Sequence, residues 1–334
     1  MNTESFSHID DMLGAADGRF FAQGFRGASH ELADLEIGVR HHHGFIRGRG
    51  TVSYRETPEG VSKPASALAL SAIDAFVLAV ELAEVYLATR FGLGPAERSR
   101  MWIRHFSLKA QPGPTVRPGA FPVSAVHLGT QFESRTLCGN VSLLSCAVGG
   151  MTVRLEIEHE IAELRRTGGF LADAEQVLGA PGTRYYGDRY KYAQQSIEHI
   201  EVDRDALSAT ARIALRVEEA TGPLSGMQGY YLPAITYVDA MVIGTQMAQA
   251  LLRLVEQLTP EDAARLRLRE VSASSKTPHL GKPPFIAFAR LEQGRSATLH
   301  RGRWRTVDLV ADFQAIHARF SVAHEIPGPP AVAA

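Results

Sequence analysis

Hydrophobic and polar residues alternate along two runs near the start of the chain, and a long stretch without alternation follows them. Residues 31–39 and 45–54 have the period of two that indicates β-strands with one buried face. Residues 69–90 are instead apolar in almost every helical direction, which predicts a helix enclosed on all sides. Alternation returns from Val153 to Ile161 and predicts a later strand with one face in the core.

The same pattern returns 165 residues later along the chain. LGAADGRFF (13–21) corresponds to LGAPGTRYY (178–186), and IDAFVLAVELA (73–83) corresponds to VDAMVIGTQMA (238–248). A second apolar helix, at about 234–257, keeps the same spacing. Several separated blocks share one offset, which indicates a tandem duplication.

Each of the two repeats, 1–165 and 166–334, places one enclosed helix after two strands and before several more. An antiparallel sheet wrapped around a single helix satisfies that order, because such a helix can bury every side. The order is that of the hotdog fold. We therefore predict an α+β double hotdog whose two units share a continuous sheet, with a generic pair of α+β domains as the alternative.

Composition narrows the partners and the compartment. The 334 residues include 35 Lys and Arg against 36 Asp and Glu, a formal net charge of −1, whereas nucleic-acid binding requires a basic excess. Two cysteines cannot build a disulfide framework or a four-thiolate zinc site. The N-terminus does not resemble a signal peptide, and acidic and amide residues interrupt the apolar stretches. We expect a cytoplasmic protein, monomeric or homodimeric, without a nucleic-acid, membrane or metal partner.

A polar stripe on each predicted helix is the first candidate for chemistry. Its members are spaced seven and three residues apart, about two turns and one turn, so they share one helix face. A carboxylate at the start of an apolar helix is costly unless it is paired or used, which favours a functional role for Asp239. The other positions stay open between function and helix capping. The stripe consists of Asp74, Glu81 and Glu84 in the first repeat and Asp239, Gln246 and Gln249 in the second.

One short segment resembles a family of hotdog enzymes. LPAITYVDAM (232–241) is similar to the MPGVLxxEAM segment of β-hydroxyacyl-ACP dehydratases, and the match puts Asp239 on their catalytic acidic position, with Asp74 as its counterpart. The histidine of that family is missing from the corresponding segments PLSGMQGYY (223–231) and ETPEGVSKP (56–64). Dehydration needs that base, so this resemblance supports the hotdog fold but does not support a dehydration reaction.

A second resemblance covers most of the chain. IDDMLGAADGRFFAQGFR (9–26) is similar to the opening of the AvrD (avirulence D) family, and residues 70–93 and 156–161 also resemble that family. The resemblance implies an enzyme that condenses a β-ketoacyl thioester with a five-carbon ketose such as xylulose, giving a syringolide-like acyl glycoside or a butenolide signal. The implied reaction is similar in logic to the reaction of the A-factor synthases. The implied partners are an acyl carrier protein or coenzyme A thioester and a sugar-like small molecule, and the thioester is a substrate with no separate cofactor.

Combining the stripe with the resemblance yields a hypothesis for the site. The second repeat is favoured, because its helix begins among aromatic and polar residues whereas the first repeat has plain Ala and Leu there. Backbone N–H groups near 236–239 would bind the thioester carbonyl, and Asp239 would act as general base on the acceptor hydroxyl or orient it. The predicted catalytic residues are Asp239, Tyr231 and Asp74. The predicted substrate-binding residues are Tyr230, Thr236, Gln246, Gln249, Glu81, Arg184 and His324.

Two other functions remain open at this point. The chain could be another hotdog enzyme, a thioesterase or dehydratase on acyl-ACP or acyl-CoA, or a non-catalytic binder of acyl groups. His159 and His324 hold equivalent places on the apolar faces of their strands, which is more typical of core histidines than of catalytic ones. Arg19 and Arg184 also recur, which slightly favours structural pairing over anion binding.

Overall fold

The computed structural model describes most of the chain. The described residues are 3–54, 69–111, 116–165, 168–217, 224–259, 262–263, 266–278, 284–299 and 302–326. The ETPEGVSKP segment (56–64), compared above with a dehydratase loop, lies outside them.

The described residues of the first half hold seven strands and three helices. The strands are β1 (Thr3–His8), β2 (Ala28–Arg40), β3 (His43–Tyr54), β4 (Trp102–Ala110), β5 (Gly119–Phe132), β6 (Asn140–Val148) and β7 (Met151–His159), and the helices are α1 (Ile9–Leu13), α2 (Ala72–Phe91) and α3 (Pro95–Arg100).

The second half repeats this order. The helices are α4 (Glu175–Leu178) and α5 (Tyr237–Val255), and the strands are β8 (Gly169–Asp173), β9 (Ala193–Asp203), β10 (Ser208–Val217), β11 (Arg267–Ser274), β12 (Phe285–Leu299), β13 (Gly302–Phe313) and β14 (Ile316–Ile326). Helices α2 and α5 begin 165 residues apart, at Ala72 and Tyr237.

All these strands form one antiparallel sheet. Its fourteen strands lie in the order β1-β9-β10-β12-β13-β14-β11-β4-β7-β6-β5-β3-β2-β8. The two halves meet where β11 pairs with β4, with Ser272 opposite Ser107. The sheet is therefore continuous across the two halves, and the fold class is α+β.

The first strand of each half pairs with the sheet of the other half. Strand β1 lies against β9, with Phe6 opposite Ile200. Strand β8 lies against β2, with Leu35 opposite Leu171. The two halves are thus interlocked by exchanged edge strands, which hydrophobic periodicity alone does not indicate.

Helices α2 and α5 carry few polar residues, which allows them to be buried. Each also begins at a strong N-cap. Ser71 and Thr236 are the N-caps, both extended, and each forms a capping box with the aspartate three residues later. The helices therefore start three residues after the predicted positions. Gly92, in the left-handed conformation, ends α2.

Burial extends along nearly the whole of both helices. Every residue from 72 to 88 and from 237 to 252 is buried. Among the described residues, α5 is the one helix long and apolar enough to cross a membrane, but 83% of it is buried inside the protein, as in an ordinary core helix. On β7, Ile161 departs from the predicted alternation: the strand ends at His159, and Ile161 is exposed.

We predict that the two halves are not independent folding units. Expressed alone, residues 1–165 and 166–334 would each leave an exchanged strand and the β4–β11 seam without partners. Each half should be aggregated or poorly folded, whereas co-expressed halves should co-purify as one complex. Size-exclusion chromatography with light scattering and circular dichroism would measure this. Cooperative unfolding of either half as a monomer would contradict it.

Candidate active site

The N-terminus of α2 gathers a cluster of polar side chains around Asp74. Its Oδ1 lies 2.9 Å from Nε2 of His30, on β2. Its Oδ2 accepts hydrogen bonds from the hydroxyl of Tyr54, from the Ser71 amide at 2.9 Å and from the Ser71 hydroxyl at 2.7 Å. The side chains of His30 and Asp74 are only 2% and 1% exposed, so this pair is shielded from water.

These contacts determine the pKa of Asp74. Burial disfavours the charged carboxylate, but the hydrogen bonds from His30, Tyr54 and Ser71 outweigh it and hold the pKa of Asp74 below its ordinary value. A carboxylate can only accept, so in the neutral form of the ring Nε2 of His30 carries the proton and Nδ1 presents a lone pair. The buried Nδ1 atom has no hydrogen-bond partner in the described part of the chain. Asp74 therefore orients the His30 ring through one nitrogen and leaves the other unpartnered.

The second repeat has the same arrangement of a capping residue and a strand residue around its aspartate, Asp239, but the strand residue is of a different type. We call each such arrangement a frame. Oδ2 of Asp239 accepts from the Thr236 amide and hydroxyl, both at 2.8 Å, and Oδ1 accepts from Nε2 of Gln195 at 2.7 Å. Gln195 lies 165 residues after His30 and takes its place. Oε1 of Gln195 is itself occupied, since it accepts from Arg26 at 2.9 Å. Burial raises the pKa of Asp239 despite the hydrogen bonds from Gln195 and Thr236 and the nearby Arg26.

The two repeats therefore differ in their capacity for acid–base chemistry. Asp74 orients an imidazole with a free lone pair, whereas Asp239 orients an amide that cannot take a proton at neutral pH. Sequence reasoning missed His30 and favoured the second repeat. The signal was present, because the offset of 165 residues sets His30 against Gln195.

The second position of the polar stripe joins the repeats. Arg184 donates to Oε1 of Glu81 on α2, and Arg19 donates to Oε1 of Gln246 on α5 at 2.7 Å. Each arginine comes from the segment that enters with the exchanged strand of the other repeat. The structure places Glu81, Gln246 and Arg184, expected to bind substrate, in hydrogen bonds that join the two repeats.

The third position of the stripe is charged in one repeat and neutral in the other. Glu84 accepts from Arg98 at 3.0 Å and from the Met227 amide at 3.1 Å; burial raises its pKa, opposed chiefly by Arg98. In the second repeat Gln249 donates to the carbonyl of Ala263 at 3.1 Å, and Ala263 stands 165 residues after Arg98. The side-chain amide of Gln249, expected to bind substrate, is thus engaged by the backbone in this structure.

The residues before α5 are divided between the surface and the core. The Tyr231 hydroxyl donates to the Arg100 carbonyl at 2.9 Å, and burial raises its pKa, so it is held as a donor to the backbone. Tyr230 is 68% exposed and contacts Tyr231 edge to face. Thr236 caps α5 and also bonds the Tyr185 hydroxyl at 2.6 Å. The structure does not bring the two tyrosines Tyr230 and Tyr231 to His30 or Asp239 through any hydrogen bond among the described residues.

His324 lies at the opposite end of α5 from Asp239. Its Nε2 is 2.7 Å from Oε2 of Glu256, which follows the helix. Glu256 comes 17 residues after Asp239, a helical distance of about 25 Å. The structure therefore places His324, expected to bind substrate, far from the start of α5.

His159 is a core histidine at the corresponding place in the first repeat. Its Nε2 is 2.7 Å from the Ser142 hydroxyl, and its Nδ1 is 2.6 Å from the Glu160 carbonyl. Because a carbonyl only accepts, Nδ1 carries the proton and Ser142 donates to Nε2. Burial lowers the pKa of His159 to about 4, so the ring is neutral at physiological pH. Within the described residues, no group of three or more His, Cys, Asp or Glu could hold a metal ion.

The Glu84–Arg98 pair supports a matched stability test. Arg98→Ala leaves a buried carboxylate without its cation and should lower the free energy of unfolding by about 3–5 kcal/mol. The double variant Glu84→Gln with Arg98→Ala copies Gln249 and Ala263, and should recover most of that loss. Chemical denaturation of both variants measures the difference. A double variant as unstable as the single one would contradict this account.

His159 predicts a pH dependence of stability. Its folded pKa of about 4 lies below the ordinary value of 6.5, so the unfolded chain binds the proton more readily. The neutral ring stabilises the fold fully above pH 6.5, and about 3 kcal/mol of that is lost as the pH falls to 4. Wild type and His159→Gln should therefore converge in unfolding free energy between pH 6.5 and 4, measured by urea titrations. A constant difference would contradict the shift.

Similar solved structures share little sequence with this chain. The GphF dehydratase 1 is 12% identical over 89% of this chain and 98% of its own, with a TM-score of 0.39. The 12:0-ACP thioesterase from Umbellularia californica is 9% identical over 84% and 94%, with a TM-score of 0.41. The dehydratase domain of PpsC from Mycobacterium tuberculosis, in complex with C12:1-CoA, is 10% identical over 88% and 98%, with a TM-score of 0.36. At this level of similarity, any chemistry must be argued from this chain's own residues.

The family comparison is more informative. No curated protein sequence matches the chain significantly. The family model described as "Pseudomonas avirulence D protein (AvrD)" matches residues 4–327, nearly the whole chain, and confirms the resemblance carried by residues 9–26. The chain therefore belongs to the AvrD family.

Proposed function

We propose that this protein is an enzyme that transfers a β-ketoacyl group from an acyl carrier protein or coenzyme A thioester to a hydroxyl of a small sugar-like acceptor such as xylulose. The observation that carries the proposal is the buried His30–Asp74 pair at the N-terminus of α2. Membership of the AvrD family makes the thioester and the sugar the first substrates to test. The products would be syringolide-like acyl glycosides or related butenolides.

His30 would act as the general base. Its Nδ1 takes the proton of the acceptor hydroxyl while the hydroxyl oxygen attacks the thioester carbonyl carbon. When the C–S bond breaks, the leaving thiolate receives that proton, so the step produces an ester and a free thiol. Asp74 stays ionised, because its pKa is low, and stabilises the imidazolium that forms between the two proton transfers. The positive end of the α2 macrodipole favours negative charge at the same place.

Asp239 has a different part in this proposal. It caps α5 and orients Gln195, and no titratable base touches it among the described residues. We therefore assign catalysis to the first repeat, with Asp74 and His30. The frame of the second repeat, around Asp239, has a structural role in this proposal.

The fold and the partners complete the proposal. Each repeat would be a hotdog unit, with α2 and α5 as the central helices, and the apolar surroundings of α2 would accept the acyl tail. We propose a cytoplasmic protein, monomeric or homodimeric, that uses the thioester without a separate cofactor. The buried His30–Asp74 pair is suited to a reaction from which bulk water is excluded.

The reaction is tested by incubating the protein with a β-ketoacyl-CoA, or the matching acyl carrier protein thioester, with and without xylulose. Mass spectrometry should find an acyl–sugar adduct that forms only when xylulose is present, together with free thiol. Free acid in both samples would replace the proposal with a thioesterase. Loss of water from a hydroxyacyl thioester would indicate a dehydratase, and binding without turnover would indicate a carrier of acyl groups.

Variants at equivalent positions test which repeat is active. His30→Gln copies Gln195, so the fold should persist while turnover falls by about 10²–10⁴-fold, the usual contribution of a general base. Asp74→Asn should also lose most activity, whereas Asp239→Asn should retain it. Thermal melts of all three variants control for folding. If the Asp239→Asn variant folds but is inactive while the His30→Gln variant is active, the active site lies in the second repeat instead.

A further inference from the structure

Tyr190 carries a second buried polar atom without a partner near the His30–Asp74 pair. It lies in the short 3₁₀ turn Arg189–Tyr192, and its side chain is fully buried. Its hydroxyl has no hydrogen-bond partner among the described residues. The ring centroids of Tyr190 and His30 are 6.4 Å apart. An unsatisfied buried hydroxyl is costly, so its retention here needs a reason.

Other buried tyrosines do not show this feature. The hydroxyl of Tyr185 bonds Thr236 at 2.6 Å, that of Tyr186 bonds Gln228 at 2.5 Å, and that of Tyr237 bonds the Arg104 carbonyl at 2.8 Å. The core therefore satisfies such groups as a rule.

The residue equivalent to Tyr190 indicates that the hydroxyl is not required for packing. Phe25 stands 165 residues before Tyr190, and the two rings stack at 6.3 Å. A phenyl ring thus occupies the position that the repeat sets against Tyr190. His30 corresponds to Gln195 and Tyr190 to Phe25, so both groups with free hydrogen-bonding capacity belong to one of the two frames.

We infer that Tyr190 is a catalytic residue of the His30 site, whose hydroxyl donates a hydrogen bond to the carbonyl oxygen of the bound acyl thioester. This inference rests on the function proposed above and adds the group that recognises the acyl donor. His30 Nδ1 accepts from the acceptor hydroxyl, and Tyr190 binds the oxygen on which negative charge develops. The two unpartnered atoms belong to rings whose centroids are 6.4 Å apart, and on this basis we assign both to one reacting site.

The electrostatics agree with a donor. Burial, with the negative charges of Asp74 and Glu81 nearby, raises the pKa of Tyr190 well above its ordinary value, so the phenol keeps its proton. During attack the carbonyl oxygen gains charge, and it loses that charge when the C–S bond breaks. Tyr190 donates a hydrogen bond throughout and transfers no proton, so the balance of the proposed step is unchanged.

Tyr190→Phe tests the inference, because it removes only the hydroxyl and copies Phe25. The variant should keep or raise the midpoint of thermal unfolding, since no protein partner is lost. Its turnover should fall by about 10²–10³-fold, the usual effect of removing one donor to a developing oxyanion. Tyr186→Phe is the matched control: it removes a hydroxyl that bonds Gln228, and should lower the midpoint of unfolding with little change in turnover.

A second measurement separates this inference from the proposed function. Calorimetry records binding of a β-ketoacyl-CoA analogue in which CH₂ replaces the thioester sulfur, so the carbonyl remains and no reaction occurs. Weaker binding to Tyr190→Phe than to wild type supports the inference even if wild type forms no sugar adduct. Equal binding and equal turnover in the two proteins overturn the inference and leave the proposed function standing. A wild type that neither binds nor reacts overturns both.

Discussion

Two helices buried on every side carry polar side chains at matching positions, and each of these groups needs a partner inside the protein. An unpaired carboxylate or amide there would cost several kcal/mol, comparable to the whole stability of a domain. The interlocked fold supplies the partners. Glu81 receives Arg184 and Gln246 receives Arg19, and in each pair the arginine belongs to the opposite repeat. The exchange of edge strands between the two repeats therefore also brings in the arginines that the polar stripes of the helices need as partners.

Duplication preserved this arrangement while the chemistry of the two halves diverged. The first repeat keeps titratable groups at each stripe position, with Asp74 on His30, Glu81 on Arg184 and Glu84 on Arg98. The second repeat keeps a carboxylate, Asp239, at the first stripe position but pairs it with the amide Gln195 in place of His30. It has the amides Gln246 and Gln249 in place of Glu81 and Glu84. A buried amide is less costly than a buried charge, so these replacements lower the cost of burying the second stripe. The asymmetry itself is the argument for one reacting site.

Sequence periodicity predicted the parts of this fold that depend on local pattern. The helix starts were displaced by only three residues, because Ser71 and Thr236 are extended caps and lie outside the helices they begin. The aspartates were recognised as first-turn residues, but their partners could not be found. His30 comes from a strand 44 residues before Asp74, and Arg184 comes from beyond the exchanged strand β8. Such pairings depend on long-range register, which a single sequence does not specify.

The exchanged strand also explains how a residue of the second repeat reaches the site of the first. Strand β8 pairs with β2, the strand that carries His30. The chain continues through α4 to Arg184, which is anchored on Glu81 two turns along α2 from Asp74. Six residues later it presents Tyr190 beside His30. The reciprocal path from β1 through Arg19 brings Phe25 to the stacked position against Tyr190, where a phenyl ring offers no hydrogen bond. The interlock therefore fixes the geometry of both frames. In the proposed reaction, the identity of two residues, His30 and Tyr190, would decide which frame can react.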